Sequence, residues 1–192
     1  FGGWPNYTTL YNQSGTIHVT SSINTYIYDG STGDGMIWNL ILETTTVATV
    51  GTYESVGNDL TIRDGCTLQH PSWGAYNFTA IGNVEIQSGG TLSWLNGAVY
   101  GKMTMGSLYI NGGTYNATPD TTTINWSNSR SSVWDQRIYK NDGTMIHNSG
   151  TLILNPDSDP VFGGGTGSGA LYNVIATEDG NNPSYRVYST PI

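Results

Sequence analysis

Apolar residues in this chain come in short alternating groups, and the clearest groups fall at a constant interval. The phrase Leu60-Thr-Ile-Arg-Asp-Gly-Cys-Thr-Leu68 is echoed by Val84-Glu-Ile-Gln-Ser-Gly-Gly-Thr-Leu92 and by Leu108-Tyr-Ile-Asn-Gly-Gly-Thr-Tyr115. The first apolar position steps from 60 to 84 to 108, an interval of 24 each time. The closing Thr–apolar pairs sit at 67–68, 91–92 and 114–115, so the third copy is one residue shorter. Alternation of apolar and polar residues is the period of a strand with one buried face, and the glycines supply the bend between two such strands. A repeat in the twenties made of strands and turns predicts a coiled β architecture in which each repeat is one rung resting on the next. Helical periodicity of useful length is absent.

The expected fold is all-β, a right-handed parallel β-helix (β-solenoid) with rungs of about 24 residues; a β-sandwich is the alternative. Two physical reasons favour parallel coiling. The repeats lack the tight two-residue turns that an antiparallel meander needs between strands. Equal spacing also brings like residues into register, with Leu60, Val84 and Leu108 as an inward apolar column and Thr67, Thr91 and Thr114 as an outward one.

A second, longer repeat lies over the first. Ser14-Gly-Thr-Ile-His-Val19 is echoed by Ser149-Gly-Thr-Leu-Ile-Leu154 at an offset of 135, and Trp38-Asn-Leu-Ile41 by Tyr172-Asn-Val-Ile175 at 134. The chain therefore divides into an irregular lead-in over 1–11, a β-solenoid module over 12–145, and a segment over 146–192 that starts a second, similar module or forms a C-terminal cap. Thr121 to Trp126 reads as one more strand, 127–136 as a polar insertion, and Ile138 to Met145 as a return to the strand–bend–strand phrase.

Composition narrows the partners. Only 10% of residues are charged, the net charge is −8, and the six Lys and Arg residues stand singly. Without a basic stripe, nucleic acid and anionic membrane are poor partners, and no apolar run approaches the ~20 residues of a membrane helix. The acidic balance suits a strand-rich particle that must avoid edge-to-edge association. Cys66 is alone, so no internal disulfide forms, and its place beside Leu68 reads as a buried structural thiol. The chain begins Phe-Gly-Gly-Trp, which reads as an excerpt of a longer protein or the product of leader removal.

The phrases GNDLTIRDGCTL, GNVEIQSGGTL and GSLYINGGTYNATPDTTTI, with the Gly-rich loop ahead of LYNVI, resemble the β-solenoid repeats of tailed-phage virion proteins (tail fibres, spikes and capsid-surface decoration) and of related microbial surface adhesins. The resemblance covers roughly residues 12 to 178. It implies a rigid structural element on a virion surface or, alternatively, an extracellular or cell-surface adhesin or filament subunit. It also implies self-association, often as a homotrimer, and contact with other virion or surface proteins. The shared motif is structural, so the resemblance carries over no site residue.

Candidate chemistry is sparse, and no catalytic residue is assigned. A polysaccharide depolymerase needs two carboxylates ~5–10 Å apart across the scissile bond. Asp64 is not repeated in the bends of the next two copies, and Glu85 faces outward between Thr61 and Tyr109 without an acidic neighbour. Asp135 beside Arg130, Trp134 and Arg137 is the remaining cluster, in an exposed loop. Asn155, Asp157 and Asp159 space three oxygen ligands as a calcium loop begins, but Pro160 stands where a turn Gly belongs and no Glu closes the set. The cofactor expectation is therefore none, with Ca2+ the weak exception. His18, His70 and His147 have no ligand spacing. Trp73, Tyr76, Trp94, Tyr100, Tyr109, Trp126 and Trp134 are many aromatics for a polar chain. On outer faces such rings hold sugars, and Trp94, Tyr109, Trp126 and Trp134 are the glycan-binding candidates.

Overall fold

In the computed structural model the described residues are 15–20, 25–27, 37–44, 46–50, 54–125, 137–155, 161–163, 166–177 and 186–188. Among them there is no helix, and every strand ladder but one is parallel. The chain coils into a β-solenoid with three faces. The first face stacks Thr16–Val19, Asn39–Leu42, Leu60–Ile62, the second halves of Phe78–Gln87 and Met103–Asn111, Arg137–Asn141, Val161–Gly163 and Arg186–Tyr188. The second face stacks Thr25–Ile27, Val47–Val50, Thr67–Gln69, Thr91–Ser93, Thr114–Asn116 and Thr144–Ile146. The third stacks Glu54–Val56, the first halves of Phe78–Gln87 and Met103–Asn111, Thr121–Ile124, Thr151–Leu154 and Asn173–Ala176.

Register follows the sequence interval. Leu60 pairs with Val84 and Val84 with Leu108, while Thr67 pairs with Thr91 and Thr91 with Thr114. Inward side chains form continuous apolar columns: Leu40, Leu60, Val84 and Leu108 on the first face, and Ala48, Leu68, Leu92, Tyr115 and Met145 on the second. Burying each Leu or Ile removes apolar surface from water and contributes roughly 1.5–3 kcal/mol. Tyr115 is too long for a purely apolar interior, and its hydroxyl meets Thr122 Oγ1 at 2.7 Å across the core; burial pushes its pKa well up. Cys66 is buried, its thiol directed at the Asp64 carbonyl oxygen at 3.7 Å.

The bend from the third face to the first is held by two devices. Glycine allows the rungs to touch there: a Cβ on Gly82 would lie 2.5 Å from the Asn58 carbonyl oxygen, and one on Gly106 would lie 2.4 Å from that of Ile81. Outside the bend runs a polar ladder. Asn39 Oδ1 accepts from Asn58 Nδ2 (2.9 Å) and the Asp59 amide (3.2 Å); Asp59 Oδ1 accepts from the Asn83 amide (2.9 Å); Asn83 Oδ1 accepts from Ser107 (2.7 Å). Each rung thus reads its neighbour through an amide or hydroxyl as well as through the backbone.

The interval lengthens above the third copy. Tyr109 pairs with Lys140, 31 positions on, and the polar insertion falls between them in sequence. The longer repeat is present with a twist. Thr16 pairs with Asn39, and the matching Thr151 pairs with Asn173 in the same register. The first pair lies on the first face and the second on the third, so the matching strands stand one face apart, and Thr151–Leu154 continues the same stack by pairing with Thr121–Ile124. One hairpin interrupts the parallel scheme: Leu95–Asn96 pairs antiparallel with Val99–Tyr100 around Gly97 at φ +66°.

Truncating the middle of a column should leave an unfilled cavity between two fixed rungs. Leu92→Ala is expected to cost about 2–5 kcal/mol, measured as a fall in the urea midpoint at constant slope. A loss below about 1 kcal/mol would mean that the rungs relax freely around the gap.

Candidate functional site

The corner between the second and third faces has loops of unequal length, and it collects the exposed aromatics. Among the described residues, the aromatic side chains classed as exposed are Trp73 (44%), Tyr100 (40%) and Tyr172 (59%). All three lie between a second-face and a third-face position: Trp73 between Thr67–Gln69 and Phe78–Gln87, Tyr100 between Thr91–Ser93 and Met103–Asn111, and Tyr172 between Ser168 and Asn173–Ala176. Trp73 and Tyr76 meet edge to face at 5.1 Å and 81°. The next rung rests directly on this loop: a Cβ on Gly101 would lie 1.8 Å from the Tyr76 carbonyl oxygen, and the Lys102 amide donates to Asn77 Oδ1 at 2.9 Å. Tyr100 therefore follows the Trp73–Tyr76 pair by one rung.

Beneath the corner lies a buried support. His70 is fully buried; its Nδ1–H donates to the Pro71 carbonyl oxygen (2.7 Å) and its Nε2 accepts from the Tyr76 amide (3.2 Å). These partners assign the neutral Nδ1–H tautomer, and burial lowers the imidazole pKa. Asn96 Nδ2 donates to the His70 carbonyl oxygen at 3.0 Å, tying the hairpin to the loop below. Trp94 packs here, 5.1 Å from His70 at 87° and 5.2 Å from Phe78. This corrects the expectation that Trp94 is a glycan plate. It follows outward Ser93 and so points inward, is fully buried, and leaves its indole N–H without a hydrogen-bond acceptor.

At the upper end of the corner Tyr172 stacks on His147 at 5.1 Å and 18°. His147 Nδ1 accepts from the Ser149 amide at 2.8 Å, which places the ring hydrogen on Nε2. A shallow open dimple of about 10 Å³, room for little more than a water molecule, lies beside the pair, lined in part by Thr118, Thr151 and Asn173.

Other expected positions have different surroundings. Tyr109 does face outward, as its place between Leu108 and Ile110 requires, but it is half-buried in a cross-strand cluster. Its hydroxyl donates to Asp142 Oδ2 (2.9 Å) and accepts from Lys140 Nζ (3.1 Å), and the Lys140 ammonium lies 4.5 Å from the ring centroid. The hydroxyl end of the ring is thus already engaged within the chain. Partial burial of Asp142 is the largest single influence and opposes ionisation, but the hydrogen bonds from Lys140, the Thr166 amide and Tyr109 together outweigh it and hold the carboxyl below its usual range. Glu85 lies between Thr61 and Tyr109 in register and accepts from Asn111 at 2.8 Å. Further down the same face Glu43 accepts from His18 (2.7 Å) and from Arg63, and the His18 bond is the main cause of its lowered pKa. Asn155 donates to Asn125 Oδ1 (3.1 Å) and accepts from Thr177 Oγ1 (2.7 Å), so its amide joins rungs. Trp126, Trp134, Asp157, Asp159 and the cluster at Arg130 and Asp135 lie outside the described residues. Among the described residues no three His, Cys, Asp or Glu side chains gather as a metal site.

Comparison with protein-family models, curated proteins and solved structures gave no match to this chain.

The buried His70 makes the corner acid-sensitive. An unfolded imidazole takes a proton near about pH 6.5, whereas the folded one resists it. Its contribution is complete above that pH and falls as the pH drops below it, until the folded ring also protonates. The urea midpoint should decline between about pH 7.5 and 5.5, and the decline should be shallower in His70→Asn. An equal slope in both proteins would locate the acid response elsewhere.

Proposed function

We propose that this protein is a structural element of a tailed-phage virion surface, a capsid decoration or tail-fibre component, that holds host glycans along its aromatic corner. The observation that carries the reading is the alignment of Trp73, Tyr100 and Tyr172 on one corner of a register-locked column. Pyranose rings present flat C–H faces that stack on aromatic plates, which bury apolar area while their polar edges stay wet. Successive rungs are ~4.8 Å apart, close to the length of one sugar unit, so Trp73 and Tyr100 suit consecutive units of a chain running along the column. The net charge of −8 disfavours polyanionic glycans and favours neutral ones. The column itself contributes stiffness, because each rung is fixed to two neighbours by backbone and side-chain bonds.

Glycan-panel binding of the intact chain tests the site. A neutral oligosaccharide should bind, and Trp73→Ala or Tyr100→Ala should weaken it by at least about tenfold, or about 1.4 kcal/mol. Both rings are exposed, so thermal unfolding should be unchanged. Binding that survives both substitutions, or no binding to any glycan, removes this reading. Assembly is tested separately: light scattering of the native protein should give the mass of a homotrimer, and a concentration-independent monomer would argue against a virion-surface role.

A further inference from the structure

The chain contains two Asn-Gly steps, Asn96-Gly97 and Asn111-Gly112, and the fold treats them differently. In such a step the glycine amide nitrogen lies within reach of the asparagine Cγ, and no Cβ on the glycine obstructs its approach. Asn111-Gly112 is locked. Asn111 stands in register on Gln87, Gly112 bridges to the same residue, and a Cβ on Gly112 would lie 3.2 Å from that of Ser88. The next rung closes over the step: the Asp142 amide donates to the Ile110 carbonyl oxygen (2.7 Å) and the Thr144 amide to that of Gly113 (2.9 Å). The Asn111 side chain is itself held by Glu85 at 2.8 Å. Asn96-Gly97 is open. It forms the tip of a hairpin that makes two residue pairs, Leu95 with Tyr100 and Asn96 with Val99, in a sheet of its own among the described residues. Gly97 and Ala98 are exposed, and a Cβ on Gly97 would meet nothing within 4 Å. A hairpin this short is marginal by itself, so it opens at little free-energy cost, whereas Asn111 moves only if two ladders break.

We propose that Asn96-Gly97 is a site of spontaneous covalent modification, a cyclisation and hydrolysis with water as the co-reactant, whose product releases the hairpin from the buried corner beneath it. The Gly97 nitrogen loses its proton to solvent and attacks Asn96 Cγ. The N–Cγ bond forms, the Cγ–Nδ2 bond breaks, and Nδ2 leaves as ammonia, giving a five-membered cyclic imide. Water then adds to either imide carbonyl and opens the ring. The product is an aspartate at position 96 or its isomer, in which the backbone runs through the side-chain carbons. One amide and one water have become one carboxylic acid and one ammonia. The structural consequence follows from a single bond. Asn96 Nδ2 donates to the His70 carbonyl oxygen at 3.0 Å and so ties the hairpin to the loop that carries Trp73. An ionised carboxylate has no donor to offer, so two acceptors would face each other where that bond stood. The isomer also lengthens the backbone by one carbon, which displaces the pairing of residue 96 with Val99. The modification goes beyond the glycan reading and holds whatever the corner binds.

The test incubates the intact protein in warm, mildly alkaline buffer, where the amide nitrogen loses its proton more readily, and follows its tryptic peptides by mass spectrometry. Cleavage after Lys102 puts the two steps in separate peptides, 64–102 and 103–130, and fragmentation locates the conversion within each. In the folded protein Asn96 should convert at least about tenfold faster than Asn111. In concentrated urea the two rates should converge, because the difference belongs to the fold. Asn96→Gln, whose closure would need a six-membered ring, should stay unconverted over the same period. Asn96→Asp, which carries the charge of the product without incubation, should speed hydrogen exchange across residues 95–100 and leave the amides of Leu68 and Leu92 protected. Equal rates at the two steps in the folded protein, or no conversion at Asn96, overturn the site. Unchanged exchange across the hairpin in Asn96→Asp overturns its release from His70.

Discussion

Parallel pairing in register is the constraint on which everything else in this molecule rests. A rung of a β-solenoid cannot bury its inner face alone; it does so by lying on a rung whose inner residues have the same size and position. Leu60, Val84 and Leu108 satisfy that condition, and so do Leu68, Leu92 and Tyr115, with Thr122 placed to receive the hydroxyl that the tyrosine brings inside. A slip of one residue would turn each column outward. The amide and hydroxyl ladder through Asn39, Asp59, Asn83 and Ser107 acts against such a slip, because each side chain bonds its neighbour only in one register.

The same constraint separates scaffold from surface. The three faces are repetitive because they must match, whereas the loops between the second and third faces are free to differ. That freedom is where Trp73, the hairpin at Leu95–Tyr100 and the Tyr172–His147 stack arise. On the first face outward charges are used among themselves: Glu43 with His18 and Arg63, and Lys140 with Asp142 and Tyr109. These clusters join strands, and they leave the uncharged rings of the corner as the more available chemistry.

Much of this was legible in the residues, and the failures have physical causes. The 24-residue interval placed the first and second faces correctly, and alternation placed Glu85 and Tyr109 outward. The third-face halves of Phe78–Gln87 and Met103–Asn111 were not read, because they run without a break into the first face; their signal is the apolar pair at Phe78 and Ala80, repeated at Met103 and Met105, whereas Thr121–Ile124 was read as a strand of its own. Alternation alone would have put Trp94 inside, two positions after Leu92, but the abundance of aromatics in a polar chain suggested a surface plate. Gly97-Ala98, the two loop residues between the paired Asn96 and Val99, begin with a glycine as such hairpins often do, and the parallel pattern around them masked that signal. Tyr172 gave no sign of exposure, since its apolar neighbours resemble those of an interior strand.

The longer repeat returns its strands one face short of a whole number of rungs, not directly above their counterparts. Any surface feature tied to that repeat is consequently turned by about a third of a circumference each time the repeat recurs. A column lengthened in this way would offer equivalent patches in three directions before any direction was used twice. Such an array meets a partner from every side without rotational symmetry between subunits, and no single approach direction would be blind.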